Sequence, residues 1–221
     1  RQEEPFWTQA LPRLSGGRVT AQIVPFDRAG LRSQEMLSLM RSGAVPFGTA
    51  LLAVGPPRDL ELNAPDLAGL NPDMATLRRN VALFRPALEA LLRERGIELL
   101  AVYTYPAQVL FCRQPITGLS SLKGLRVRTS SVTQSDWVEA LGGLPVSTPF
   151  AELLNHLRAG NIDCAITGTM SGNTIGLHQL TTHLHPLAIS WGVSAFAANG
   201  AAWAALAPDH RALIKRQLVQ L

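Results

Sequence analysis

The chain is 221 residues long, 47% hydrophobic and 16% charged, with 20 Lys+Arg against 16 Asp+Glu for a formal charge of +4. Low charge and high apolar content exclude intrinsic disorder, and the length holds one large domain or two small ones with substantial cores. No window reaches the ~18 to 20 consecutive apolar residues of a membrane-spanning helix, because Ser190, Gly192, Ser194, Asn199 and Gly200 interrupt the most apolar stretch.

In chain order, Phe6, Trp7, Ala10, Leu11 and Leu14 have helical spacing and stop at Gly16-Gly17. The alternating run Arg18–Val24 predicts a half-buried strand. A helix follows over Arg28–Ser42, closed by Gly43, and Ala50–Val54 predicts a short buried strand ended by Gly55-Pro56-Pro57. Residues 58–71 have no clear period and are expected to form a surface loop. Met74, Leu77, Val81, Phe84, Leu88, Leu91 and Leu92 keep the 3.6 period through Pro86 and define the strongest helix, kinked at that proline and stopped by Gly96.

Ile97–Tyr105 and Val109–Arg113 are expected strands, Ser120–Gly124 a helical turn, Leu125–Thr129 a strand and Ser130–Leu141 a helix ended by Gly142-Gly143. A strand at Val146 leads to Thr148-Pro149, an N-cap and N1 pair for a helix with Phe150, Leu153, Leu154 and Leu157 on one face. Gly160 ends that helix and Ile162–Ile166 is a buried strand. Strands alternating with helices imply an α/β protein with largely parallel sheets.

The basic residues are scattered, the densest groups being Arg78-Arg79, Arg93 with Arg95, Arg126 with Arg128, and Lys215-Arg216. No block tracks phosphates and no basic helix pair forms a DNA-reading motif, so no nucleic acid is expected as a partner. Cys112 and Cys164 lie in apolar runs and are expected to be two small buried hydrophobes, with a disulfide as the less favoured alternative. His178, His183 and His185 lack carboxylates at metal-ligand spacing, and Cys164 lacks a nearby cation to activate it, so neither a metal nor catalysis is expected. Residues 1–6 lack a signal-peptide pattern, which leaves a cytosolic protein or a targeting segment outside this sequence.

In open α/β sheets ligands bind at the carboxyl ends of strands. Arg126 and Arg128 alternate on one predicted strand, so one of them points to the less exposed side, where a guanidinium is costly unless a carboxylate pairs with it. A structural salt bridge is an equal alternative from spacing alone. Thr167-Gly168-Thr169, after a buried strand, leaves room for a ligand, although a tight turn is the simpler reading.

The run Leu119–Arg128, followed by Ala140–Gly143, Pro145-Val146, Pro149–Glu152, Leu157–Gly160 and Ile162-Asp163, resembles the solute-binding proteins of tripartite ATP-independent periplasmic (TRAP) transporters, the DctP-type family. The similarity continues more weakly through the Phe6-Trp7 helix, Ser42–Val45 and Asn199–Pro208. It implies a two-lobed α/β clamp with mixed, mostly parallel sheets and helices on both faces. Residues 1–105 with 191–221 would form lobe I and 106–190 lobe II, hinged near 104–108 and 189–193. The implied function is periplasmic capture of a small carboxylate solute by hinge closure and its delivery to the TRAP permease subunits, without a cofactor.

Carried over residue by residue, Arg128 matches the family arginine that pairs with the solute carboxylate. Gln108 falls where many members have a second arginine, Ser131 at a polar pocket position, Phe150 at a pocket aromatic and Thr167 at a position often filled by Asn. Trp191 is a candidate pocket wall. Gln108 and Thr167 in place of Arg and Asn favour a monocarboxylate with an apolar or aromatic body. The resemblance also implies a chain truncated at both ends, lacking a first strand and C-terminal helices. The alternative reading is a ligand-sensing or interaction domain of the same fold with impaired binding.

Overall fold

The structure, a computed structural model, describes residues 3–25, 30–31, 33–54 and 57–218. By contact the chain divides into two compact units, one of Arg1–Ala50, Ala87–Tyr103 and Ala195–Leu221, the other of Leu51–Pro86 and Thr104–Ser194.

In the first unit the spacing of Phe6, Trp7 and Leu11 produces a helical segment of α1 (Glu3–Pro5), a π-helical turn (Phe6–Ala10) and α2 (Leu11–Leu14). It ends at Gly16 and Gly17, both at positive φ, as the sequence predicts. Phe6, Trp7 and Leu11 pack with Leu100, Ala198, Trp203 and Ile214, and the Trp7 and Phe196 rings lie 5.4 Å apart. Leu14, expected on the same face, is exposed. The run Arg18–Val24 is not a strand. Ser15 Oγ accepts the Val19 N–H at 3.0 Å, so the start of the run turns back on the helix end, and Ile23 and Val24 remain exposed.

A 3-10 turn (Ser33–Glu35) leads into α3 (Met36–Ser42), stopped by Gly43 at φ 80°; the expected start at Arg28 lies outside the described residues. The strand expected over 50–54 lies earlier, as β1 (Phe47–Leu51), and Leu52–Val54 is a 3-10 turn. A short apolar run does not itself say where pairing begins. β1 joins β2 (Ile97–Thr104) and β8 (Val193–Asn199) in a sheet of order β1-β8-β2. Asn199 caps α7 (Gly200–Ala205) by accepting the Ala202 N–H at 3.0 Å, and α8 (Pro208–Leu218) follows.

Helix α4 (Met74–Glu94) buries Leu77, Leu88 and Leu92, and Pro86 lies inside its span. Its start is capped by Asp73, whose Oδ1 accepts the Thr76 N–H at 2.7 Å. Residues 57–71 are not a surface loop. A 3-10 segment (Pro57–Asp66) buries Asp59, Asn63 and Asp66, and Asn71 is buried beyond it.

The second unit is built on a sheet of order β5-β4-β6-β3-β7, comprising β3 (Gln108–Cys112), β4 (Arg126–Thr129), β5 (Leu144–Ser147), β6 (Cys164–Gly168) and β7 (His183–Ser190). β4 runs parallel to β5 and β6, whereas β3 is antiparallel to β6 and β7. The pleat divides the core in two. Leu110, Cys112, Val127, Cys164 and Ile166 pack with Val138 of α5 (Val132–Ala140). Val109, Phe111 and Ala165, on the other face, pack with Leu153 and Leu157 of α6 (Leu153–Arg158).

Thr148 does not cap that helix: its Oγ1 donates back to the Val146 carbonyl, and a 3-10 turn (Phe150–Glu152) intervenes, leaving Phe150 exposed. The two cysteines, expected as separate hydrophobes, stand opposite one another on β3 and β6 and form a disulfide. Register, which the sequence alone did not supply, brings them together.

Candidate functional site

β4 lies between two parallel neighbours, so the carboxyl ends of β4, β5 and β6 converge. Expected on opposite sides, the two arginines share the α6 face of β4, because side chains two apart on a strand point the same way, and they differ by position along it, Arg126 at the exposed start and Arg128 buried further in. Arg126 is exposed and clamps Asp163, whose Oδ2 accepts its Nε at 3.0 Å and its backbone N–H at 2.9 Å while Oδ1 accepts Nη2 at 2.6 Å. That guanidinium holds the Asp163 carboxyl below its ordinary range.

Arg128 is only 3% exposed. Its register partners are Val146 on β5 and Ala165 on β6, and its Nε donates to the Thr148 carbonyl at 3.0 Å and its Nη1 to the Ile166 carbonyl at 2.9 Å. No carboxylate pairs with it among the described residues, and burial alone lowers its pKa to about 10. That value keeps the guanidinium charged near neutral pH. Two neutral carbonyls fix the plane of the fork without cancelling its charge, and Nη2 makes no hydrogen bond within the described residues. A buried cation in this state is completed by an anion, and its planar geometry matches a carboxylate.

The other sequence candidates fall into separate surroundings. Thr167 is buried next to Ile166, opposite Val109, and therefore on the α6 face that Arg128 shares with Val146 and Ala165. Phe150 follows two residues after Thr148, whose carbonyl holds Arg128 Nε. Gln108 lies on the opposite face by alternation with Leu110 and Cys112, and its Nε2 donates to the Pro106 carbonyl at 3.0 Å. It faces Gly168 across the ladder, where a Cβ would sit 3.0 Å from Nε2.

Ser131 is the N-cap of α5, accepting the Gln134 N–H at 3.3 Å. Trp191 is half-buried, its indole Nε1 donating to the Asn71 carbonyl at 2.9 Å. Arg128 and Thr167 thus lie near the carboxyl ends of β4 and β6, Ser131 and Phe150 follow the carboxyl ends of β4 and β5, and Gln108 and Trp191 donate to the Pro106 and Asn71 carbonyls.

Several groups that order this region are not readable from the sequence. The Thr148 and Ile166 carbonyls are backbone atoms, invisible to a residue pattern. Gln134, in the helix expected over 130–141, is buried and links Ser130 to Ser190: its Oε1 accepts the Ser130 N–H at 2.9 Å and its Nε2 donates to Ser190 Oγ at 3.0 Å. Asp66 lay in a segment taken as a loop. Burial pushes its carboxyl above the ordinary value of 3.8, against the opposing effect of the Trp191, Gly192 and Val193 N–H groups. Among the described residues no cluster of three or more His, Cys, Asp or Glu is arranged to hold a metal, and no helix is long and apolar enough to cross a membrane.

Comparison gives this α/β fold a family. Residues 4–220 match DctP, described as bacterial extracellular solute-binding protein family 7, and the chain belongs to that family, the solute-binding proteins of TRAP transporters. It is a receptor family, not an enzyme family.

Solved structures share the fold at low sequence identity. DctP7, a Bordetella pertussis extracytoplasmic solute receptor binding pyroglutamic acid, matches with a TM-score of 0.88 and 19% identity, covering 99% of this chain and 72% of that one. A TRAP periplasmic solute-binding protein from Desulfovibrio salexigens with bound orotic acid matches at 0.86 and 18%, covering 99% of this chain and 71% of that one. One from Rhodoferax ferrireducens with bound malonate matches at 0.83 and 21%, covering 95% and 67%.

Proposed function

We propose that the protein is a periplasmic receptor that captures a small carboxylate-bearing organic acid through Arg128 and delivers it to the TRAP permease. The observation that carries this reading is a guanidinium 3% exposed, oriented by two backbone carbonyls and lacking a carboxylate partner among the described residues. Pyroglutamic acid, orotic acid and malonate, bound by the proteins of similar fold, all present such a carboxylate. The disulfide suits an oxidising compartment outside the cytoplasm.

Thr167 and Phe150 supply a hydroxyl and an aromatic surface beside the anchor, and Trp191 a further wall. Gln108 and Thr167, at positions that the resemblance gives to arginine and asparagine in other members, bring no second cation, so a monocarboxylate with an apolar or aromatic body is the preferred solute. Capture proceeds by hinge closure, in which contacts to the bound acid favour the closed state. Lobe I (1–105 with 191–221) and lobe II (106–190) are the moving parts, with the hinges near 104–108 and 189–193.

The test is a thermal-shift screen of small carboxylic acids against the protein and Arg128→Ala. A bound solute raises stability with the logarithm of its concentration over its dissociation constant. A stabilisation confined to one class of acid and absent in the variant is expected. An acid that stabilises both proteins equally overturns the assignment of Arg128, and tighter binding of a dicarboxylate than of its monocarboxylate analogue overturns the preferred solute class.

A further inference from the structure

Asp66 is a carboxylate 3% exposed, with no cation within ion-pair distance among the described residues. An isolated buried carboxylate is costly, and here convergent donors offset part of that cost. The Trp191 N–H lies 2.9 Å from Oδ1 and 3.0 Å from Oδ2, while the Gly192 and Val193 N–H groups reach Oδ2 at 2.7 and 3.3 Å. Successive backbone N–H groups turned to one side form an anion-binding concavity, and Asp66 is the anion that fills it.

Gly192 makes the turn at φ 68°, and its carbonyl accepts the Tyr105 N–H at 3.3 Å. Two further bonds join the same segments: Trp191 Nε1 to the Asn71 carbonyl at 2.9 Å and the Gly69 N–H to the Ile189 carbonyl at 2.7 Å. Residues 66–71 therefore hold both the backbone and the ring of Trp191, in the link between β7 and β8 where neither strand holds residues 191 and 192.

We infer that Asp66 is a positioning residue that fixes where the Trp191 ring stands for the solute. The inference rests on the reading of Trp191 as a wall of the solute site. Asn in its place keeps the shape but presents one acceptor and an N–H₂ group to donors that need acceptors, so the carboxylate, and not side-chain size, is what orders the link.

The experiment needs no solute. Hydrogen exchange on the unmodified chain is expected to find the Trp191 and Gly192 amides protected by about a hundredfold or more, although they lie outside both strands, and Asp66→Asn is expected to reduce that protection by about tenfold. The Trp191 emission is isolated by subtracting the spectrum of Trp191→Phe in each background. In Asp66→Asn it is expected to move to the red and become more accessible to acrylamide, while the spectrum of the remaining tryptophans stays unchanged.

Unprotected amides at 191 and 192 in the unmodified chain overturn the inference even if the variant does not fold, and so does an unchanged Trp191 emission in a folded Asp66→Asn. Arg128→Ala leaves both readouts unchanged. Failure of the solute reading, seen as acids stabilising that variant normally, is thus distinguished from failure of the Asp66 inference.

Discussion

Cys112 on β3 faces Cys164 on β6 across an antiparallel ladder, with Cα atoms 4.1 Å apart, and the two are joined by a disulfide. The bond lies in the core that packs against α5, and both residues are buried. It closes a loop with a sequence separation of 52, for which chain entropy predicts about 4 kcal/mol of stabilisation. Urea unfolding of Cys112→Ala/Cys164→Ala is expected to show a loss of that order, and full reduction of the unmodified protein a similar one. A loss below about 1 kcal/mol would mean that the reduced unfolded chain is already constrained.

Arg128 engages the Thr148 and Ile166 carbonyls with separate nitrogens of one plane. Lysine carries the same charge as a single point without the fork, so Arg128→Lys is expected to weaken binding of any acid found in the screen by about tenfold or more while leaving the protein folded. Calorimetric titration checks this. Equal affinity in the variant would show that charge alone, and not bidentate geometry, does the binding.

Two carboxylates respond to pH with opposite sign. Burial raises Asp66 above 3.8, so the folded state keeps its proton where the unfolded chain has released it. Its contribution is full below 3.8 and is lost as pH rises through the raised value. Asp163 is lowered by Arg126, so its contribution is present above 3.8 and is lost as pH falls through the depressed value. Urea melts across the acid range are expected to show the stability of the unmodified chain relative to Asp66→Asn falling with rising pH, and relative to Asp163→Asn rising with it.

Gly143 separates α5 from β5 in a space already filled. A Cβ there would lie 2.8 Å from Val138 Cγ1 and 3.1 Å from the Leu122 carbonyl oxygen. Gly143→Ala is expected to cost about 1 to 3 kcal/mol, because a backbone atom cannot yield as a flexible side chain does. Gly118→Ala, where a Cβ meets nothing within 4 Å and φ is extended, is expected to stay within about 0.5 kcal/mol. Chemical denaturation of the pair compares the two directly.

Local pattern alone determined that this is an α/β chain: the period of Met74–Leu92, the glycine stops at 16, 43, 96 and 142, and the aliphatic strands around Leu110, Val127 and Ala165 all appear in the fold. The motifs at 119–163 pointed to the solute-binding family to which the chain belongs. Each of these signals spans a few neighbouring residues, and short-range sterics and hydrophobic periodicity express it directly.

Tertiary structure decided what depends on contacts between distant segments. It chose Arg128 for the interior and Arg126 for Asp163, since that outcome depends on where along β4 the neighbouring strand begins: Arg126 lies level with Asp163 at the exposed edge, and Arg128 is covered beside Ala165. Pairing register made two separate cysteines a disulfide, and the Ser15 Oγ bond to the Val19 N–H turned the start of 18–24 back on the helix end. The segment 57–71 looked like a loop because its order comes from elsewhere: Asp66 answers N–H groups 125 to 127 residues away, a relationship that no local propensity encodes.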